Sequence, residues 1–121
     1  MTNTTDSEVT TPGTGGKLSP RCPIRTTLEM LGGKWRLLII NAIGDEAVRF
    51  GELKRRVPDI SEKMLAQELK ALADNQLIIR TNYGEVPPRV DYRLTPLGHQ
   101  ARALIGPMVA FGLQCEAGLA T

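Results

Sequence analysis

Apolar residues recur every three or four positions through most of this chain and alternate only over two short stretches late in it. Residues 1–20 show neither pattern. Thr, Gly and polar side chains dominate there, too little apolar surface to offset chain entropy, so a disordered N-terminal tail is expected. A folded domain is expected over residues 21–117. Pro23 suits a first helical position, where its missing N–H would have no partner anyway; Ile24, Leu28 and Leu31 then follow at helical spacing up to Gly32-Gly33. Trp35, Leu38, Ile39 and Ala42 fall at i, i+3, i+4 and i+7 and predict a second helix from Lys34-Trp35, with that row buried. After a Gly44-Asp45 turn, Val48-Arg49-Phe50 could form a small strand. A third helix is expected from Gly51 to about Val57, closed by Pro58-Asp59.

The fourth helix carries the clearest signals. Ser61 can accept a hydrogen bond from an orphan backbone N–H, Glu62 favours the positive end of the helix dipole, and Leu65, Leu69 and Leu72, extended by Met64, form one apolar stripe. Beyond Asn75 the period becomes two. Leu77 and Ile79, then Val90, Tyr92 and Leu94, read as two strands of a hairpin, with turn chemistry at Asn82-Tyr83-Gly84 and Pro87-Pro88. Thr95-Pro96 starts a fifth helix through Leu97, Ala101, Leu104 and Ile105. Gly106-Pro107 should bend or interrupt it before the apolar stretch from Met108 to Leu113. The fold class expected is therefore mainly α with a small β-hairpin, in the element order of a winged helix-turn-helix.

Composition changes this picture little. Hydrophobic residues at 41%, charged residues at 23% and a formal charge of +2 are ordinary for a globular domain; they permit nucleic-acid binding without arguing for it. No run approaches the roughly 18 apolar residues of a membrane helix, and the opening stretch lacks a signal-peptide core, so a cytoplasmic protein without membrane attachment is expected. Two cysteines are too few for a disulfide framework. His99 is the sole histidine, and no metal-ligand spacing, orienting third group or phosphate-cradling loop accompanies it; Gly13 to Gly16 lies in the tail. No enzyme, cofactor or metal is expected.

The chemistry that remains is on the fourth helix. Lys63, Gln67 and Lys70 share a face opposite the leucines: lysines reach phosphates or guanine edges, and glutamine pairs bidentately with adenine. Ser61, at the helix N-terminus, could hold a phosphate together with backbone N–H groups. A face of this composition on an isolated helix is ordinarily solvated surface. The short-turn helix pair before it and the Gly/Pro hairpin after it turn the reading towards double-stranded DNA, with Arg89 at the expected wing tip either entering a minor groove or standing as a solvated loop arginine. Arg80 and Arg93, at strand ends, would touch only backbone phosphate. Cys22 is the other suggestive residue. It precedes a helix start between Arg21 and Arg25, where dipole and cations both favour thiolate; it could equally be a small capping residue.

The run Cys22-Pro23, Thr27-Leu28, Gly32-Gly33-Lys34-Trp35, Phe50-Gly51-Glu52-Leu53, Ile60-Ser61-Glu62-Lys63-Met64-Leu65, Leu69-Lys70-Ala71-Leu72, Leu77-Ile78-Ile79-Arg80, Pro87-Pro88-Arg89-Val90-Asp91-Tyr92, Leu94-Thr95 and Gly98 resembles, in order and spacing, the HxlR-type transcriptional regulators. These are a bacterial branch of the MarR-like winged-helix proteins. The resemblance implies a homodimer built by the first and last helices, binding to palindromic operators, and either sign of regulation. It also implies an oxidant- or electrophile-sensing cysteine at the position of Cys22. Cys115, in the last helix, could be its partner across the dimer, or an incidental apolar residue. Family members often carry a tryptophan near the end of the last helix, where this chain has Phe111. A small-molecule effector is left open and unidentified. Two other readings stay in play: a winged helix that binds protein without DNA, and a thiol-dependent enzyme.

Overall fold

The structure, a computed structural model, describes residues 22–120 and divides into two units, one up to Gly32 and one from Gly33 onward. The expected tail and Arg21 lie outside the described residues. In the first unit, helix α1 spans Pro23–Leu31, with the proline in its first turn as anticipated. Cys22 is the N-cap residue but its side chain makes no capping bond; the Thr27 hydroxyl instead donates to the Pro23 carbonyl at 2.8 Å. Ile24 and Leu28 are exposed.

The second unit contains α2 (Arg36–Ile43), β1 (Val48–Arg49), α3 (Phe50–Arg56), α4 (Glu62–Asp74), β2 (Ile78–Asn82), β3 (Val90–Leu94), α5 (Pro96–Arg102) and α6 (Ile105–Ala120). The short segment Val48–Arg49 is indeed a strand, and it joins the hairpin. The sheet has three antiparallel strands in the order β1-β3-β2, with Val48 opposite Tyr92 and Arg49 opposite Asp91. On the other side Ile78 faces Leu94, Arg80 faces Tyr92 and Asn82 faces Val90. Because side chains alternate across a pleated sheet, Val48, Tyr92, Ile78 and Leu94 share one face, and all four are buried. Arg49, Asp91 and Thr81 share the other.

Helices α2, α3 and α4 supply the rest of the core: Ile39, Ile40, Ile43, Leu53, Leu65, Leu69 and Leu72, with Ile60 from the connecting turn and Leu77 before β2, are at most 1–2% exposed. Each such side chain contributes about 1.5 to 3 kcal/mol by leaving water. Two expectations need correction here. Helix α2 starts at Arg36, and Ile39, Ile40 and Ile43 are its buried residues, while Leu38 is 51% exposed and Trp35 only partly buried. Its sequence is apolar nearly all round, so periodicity could not select the face. The break before the last helix falls at Ala103-Leu104, earlier than Gly106-Pro107. Helix α6 takes that pair into its first turn, where the N–H that proline lacks would have been an orphan anyway.

Candidate nucleic-acid interface

Helices α3 and α4 meet through the turn Val57-Pro58-Asp59-Ile60-Ser61, with Val57 and Ile60 buried and Asp59 in the left-handed region at φ 74°. Tethering both flanks of a turn in this way fixes the direction in which α4 leaves it. Ser61 then caps α4 as expected, its Oγ accepting from the Met64 N–H at 3.0 Å. That bond uses one lone pair, so the hydroxyl hydrogen can still donate outward. Leu65, Leu69 and Leu72 form the buried side, and Lys63, Gln67 and Lys70 are all exposed. At 1.5 Å rise per residue the three polar side chains span roughly 10 Å, about three base-pair steps.

Several contacts orient this face. Arg36 of α2 donates from Nε to Glu68 of α4 at 2.8 Å, a half-buried ion pair on the flank of α4 away from Lys63 and Gln67. Arg56 of α3 donates to the Ala42 carbonyl of α2 at 2.9 Å and pairs with Glu52 at 3.1 Å. Arg55, which also bonds Glu52, is the first cause holding that carboxyl below its usual range, with Arg56 the second. Lys70 pairs with Asp74 one turn on, at 3.0 Å, with both side chains more than half exposed. An ion pair that exposed is weak and is readily exchanged for a phosphate.

The hairpin places Arg89 differently from an extended tip residue. It stands just before β3, its guanidinium 4.2 Å from the Tyr83 ring centroid, 3.4 Å from Asp91 Oδ2 and 4.0 Å from Glu85. The turn itself is closed by Tyr83 N–H donating to the Arg89 carbonyl at 3.0 Å and by Gly84 N–H donating to Asn82 Oδ1 at 2.9 Å. Arg80 shares the lip of a groove between α4 and the sheet with Lys70 and Tyr92. Cys22 and Cys115 are both exposed free thiols, in separate units. Among the described residues, no three His, Cys, Asp or Glu side chains gather as a metal site would require, and no helix is long and apolar enough to cross a membrane.

Sequence reasoning missed Glu68, Arg49, Asp91 and Tyr83. Alternation in β1 and β3 does place Arg49 and Asp91 on definite faces, but which strands pair, and in which register, is not written in either segment.

A capped helix with a polar row, set by a short turn on a preceding helix and followed by a hairpin, defines a winged helix-turn-helix protein of the DNA-binding regulator class. A family model described as HxlR-like helix-turn-helix matches residues 30–117. The chain is 42% identical over 86 residues to the uncharacterized HTH-type transcriptional regulator YtfH of Escherichia coli K12, covering 71% of this chain and 68% of that protein. Among solved structures, a MarR-family protein from Porphyromonas gingivalis W83 is 49% identical with a TM-score of 0.74, covering 80% of this chain and 96% of its own. The redox regulator HypR in its reduced form is 31% identical with a TM-score of 0.75, covering 82% and 98%. This chain belongs to the HxlR-like helix-turn-helix family and is a transcriptional regulator of the HTH type.

Proposed function

We propose that the protein acts as a homodimer that binds palindromic operators sequence-specifically, setting the two copies of α4 in successive major grooves about 34 Å apart. The observation that carries this reading is the row Lys63, Gln67 and Lys70, exposed opposite a buried leucine stripe on a helix whose entry is fixed by Ser61. Gln67 reads base edges, Lys63 and Lys70 hold phosphate or guanine, Ser61 holds phosphate at the helix start, and Arg89 addresses the minor groove. The dimer is supported by α6, which has one charged residue, Glu116, and leaves Met108, Val109, Phe111, Leu113 and Leu119 more than half exposed. Apolar exposure on that scale marks an interaction surface.

Selection of bound duplexes from a random library, followed by titration, tests the reading. Gln67→Ala should relax base preference. Lys70→Ala should weaken binding to all sequences and lower the slope of log affinity against log salt by about 0.9. Wild-type behaviour of both variants would mean the face is wrongly assigned. A protein-interaction module, in contrast, would show no salt-sensitive DNA retention at all. The relatives are regulators, which favours binding over catalysis and action in the cytoplasm, where the DNA is.

We further propose that Cys22 senses oxidants or electrophiles, with Cys115 of the other subunit as its disulfide partner. Its exposed thiol at a helix N-terminus and the similarity to HypR support this. Mild oxidant should give a covalent dimer on a non-reducing gel, lost in Cys22→Ser and in Cys115→Ser. No covalent dimer and no change in DNA binding would rule redox sensing out; a dimer that survives Cys115→Ser would rule out that pairing.

A further inference from the structure

The outer face of the sheet holds a feature that the major-groove contacts leave unused. Asp91, on the central strand, is a carboxylate with its side chain only 8% exposed, and two arginines from different elements converge on it. Arg89 NH2 lies 3.4 Å from Oδ2, and Arg49 Nε, from β1 across the ladder, lies 3.9 Å from Oδ1. Neither is a close pair. Asp91 Oδ1 and Arg89 Nε are buried without a hydrogen-bond partner, so the cluster retains unused donor and acceptor capacity. Arg93, two residues along the same face, is exposed. Two guanidinium groups thus meet one buried carboxylate, and Arg89 also lies 4.0 Å from the half-exposed Glu85.

Such an arrangement orients cations without neutralising them. A guanidinium anchored at one edge by a carboxylate still presents its remaining N–H groups in a planar fork, which matches a phosphate. Arg49 is 65% exposed, so it can meet a phosphate at little desolvation cost, and it is also the N-cap residue of α3, the first helix of the helix-turn-helix pair. Asp91 therefore links the wing arginine to the root of the DNA-binding helices. We infer that Arg49 is a further DNA contact, made to a backbone phosphate, and that Asp91 is a positioning residue that presents Arg49 and Arg89 together. This rests on the DNA-binding reading above.

The test is fluorescence anisotropy with a labelled random-sequence duplex of about 30 base pairs, titrated between about 50 and 200 mM salt. Arg49→Gln should bind several-fold more weakly at the low-salt end and lower the salt slope by about 0.9, one phosphate contact. Asp91→Asn should also weaken binding, yet keep the wild-type slope, because every cation is still present. A purely structural Asp91 would lower the melting temperature and leave the affinity of the folded protein unchanged, which overturns the positioning role. So does tighter binding by Asp91→Asn, which would mean that the carboxylate withholds the arginines. Should that variant fail to fold, Arg49→Lys carries the question: it keeps the charge but loses the fork, and wild-type affinity would overturn orientation by Asp91. If the wild-type protein retains the duplex and Arg49→Gln is unchanged, this inference fails alone. If the wild-type protein shows no salt-sensitive retention, the DNA-binding reading fails with it.

Discussion

Two single residues decide how α4 hands over to the sheet. Gln76 follows the C-cap Asn75 with φ 63°, its N–H donating to the Ala73 carbonyl at 2.9 Å while Leu77 N–H reaches back to Leu72 at 2.9 Å. This is the Schellman arrangement, in which the left-handed position is usually glycine because a Cβ crowds the backbone there. Gln76→Gly should therefore stabilise the fold by about 0.5 to 1 kcal/mol, after allowing for glycine's greater unfolded-state entropy. An unchanged or lower urea midpoint would show that the left-handed residue is not strained. Gly98 is the second. A Cβ built on it would lie 2.1 Å from the Leu77 carbonyl oxygen and 3.2 Å from Leu94 Cβ, so α5 can pack on the sheet only without a side chain there. Gly98→Ala should destabilise the fold by about 1 to 3 kcal/mol, since the obstacle is backbone and cannot rotate away. Wild-type thermal stability in that variant would contradict the close approach.

At the scale of elements, α4 illustrates what a sequence makes legible. Its leucine stripe, Ser61 cap and polar row all follow from the 3.6-residue period and from local hydrogen bonding, and the structure shows each where the period puts it. The same holds for Thr95, whose hydroxyl accepts from Gly98 N–H at 3.0 Å to cap α5 and donates to the Gln76 carbonyl at 2.8 Å. That second bond, joining the entry of α5 to the exit of α4, spans 19 residues and has no local signature. Helix α2 departs from its expected face for a related reason. In an all-apolar helix every phase fits, and only the neighbours that cover Ile39, Ile40 and Ile43 determine which side is core. The wing was half legible: alternation and turn residues gave the hairpin, whereas the third strand and the pairing of Arg49 with Asp91 depend on a partner more than 40 residues away.

For the whole molecule, the main open energetic question is the exposed apolar surface of α6. Phe111 is 72% exposed, Leu113 61% and Met108 51%, on a 16-residue helix. A second copy of the chain is the covering that the proposed dimer supplies. Phe111→Asp places a charge in that surface and should convert the protein to a monomer by sedimentation, with operator affinity falling because one α4 alone reaches only a half-site. A variant that remains dimeric with unchanged affinity would remove Phe111 from the interface. The same experiment bears on sequence reading, since Phe111 occupies the region where the resembled family often carries a tryptophan.

The chain's own residue order determined which segments are helical, the Ser61 and Thr95 caps, and which side of α4 is polar, because those properties arise within a few neighbouring residues. Tertiary structure alone decided the three-strand register, the buried side of α2, the Arg36–Glu68 pair and the gathering of Arg49 and Arg89 on Asp91. Each of those requires two distant segments to be brought together, and it is their packing, with the water it excludes, that chooses among contacts the local sequence leaves equally open.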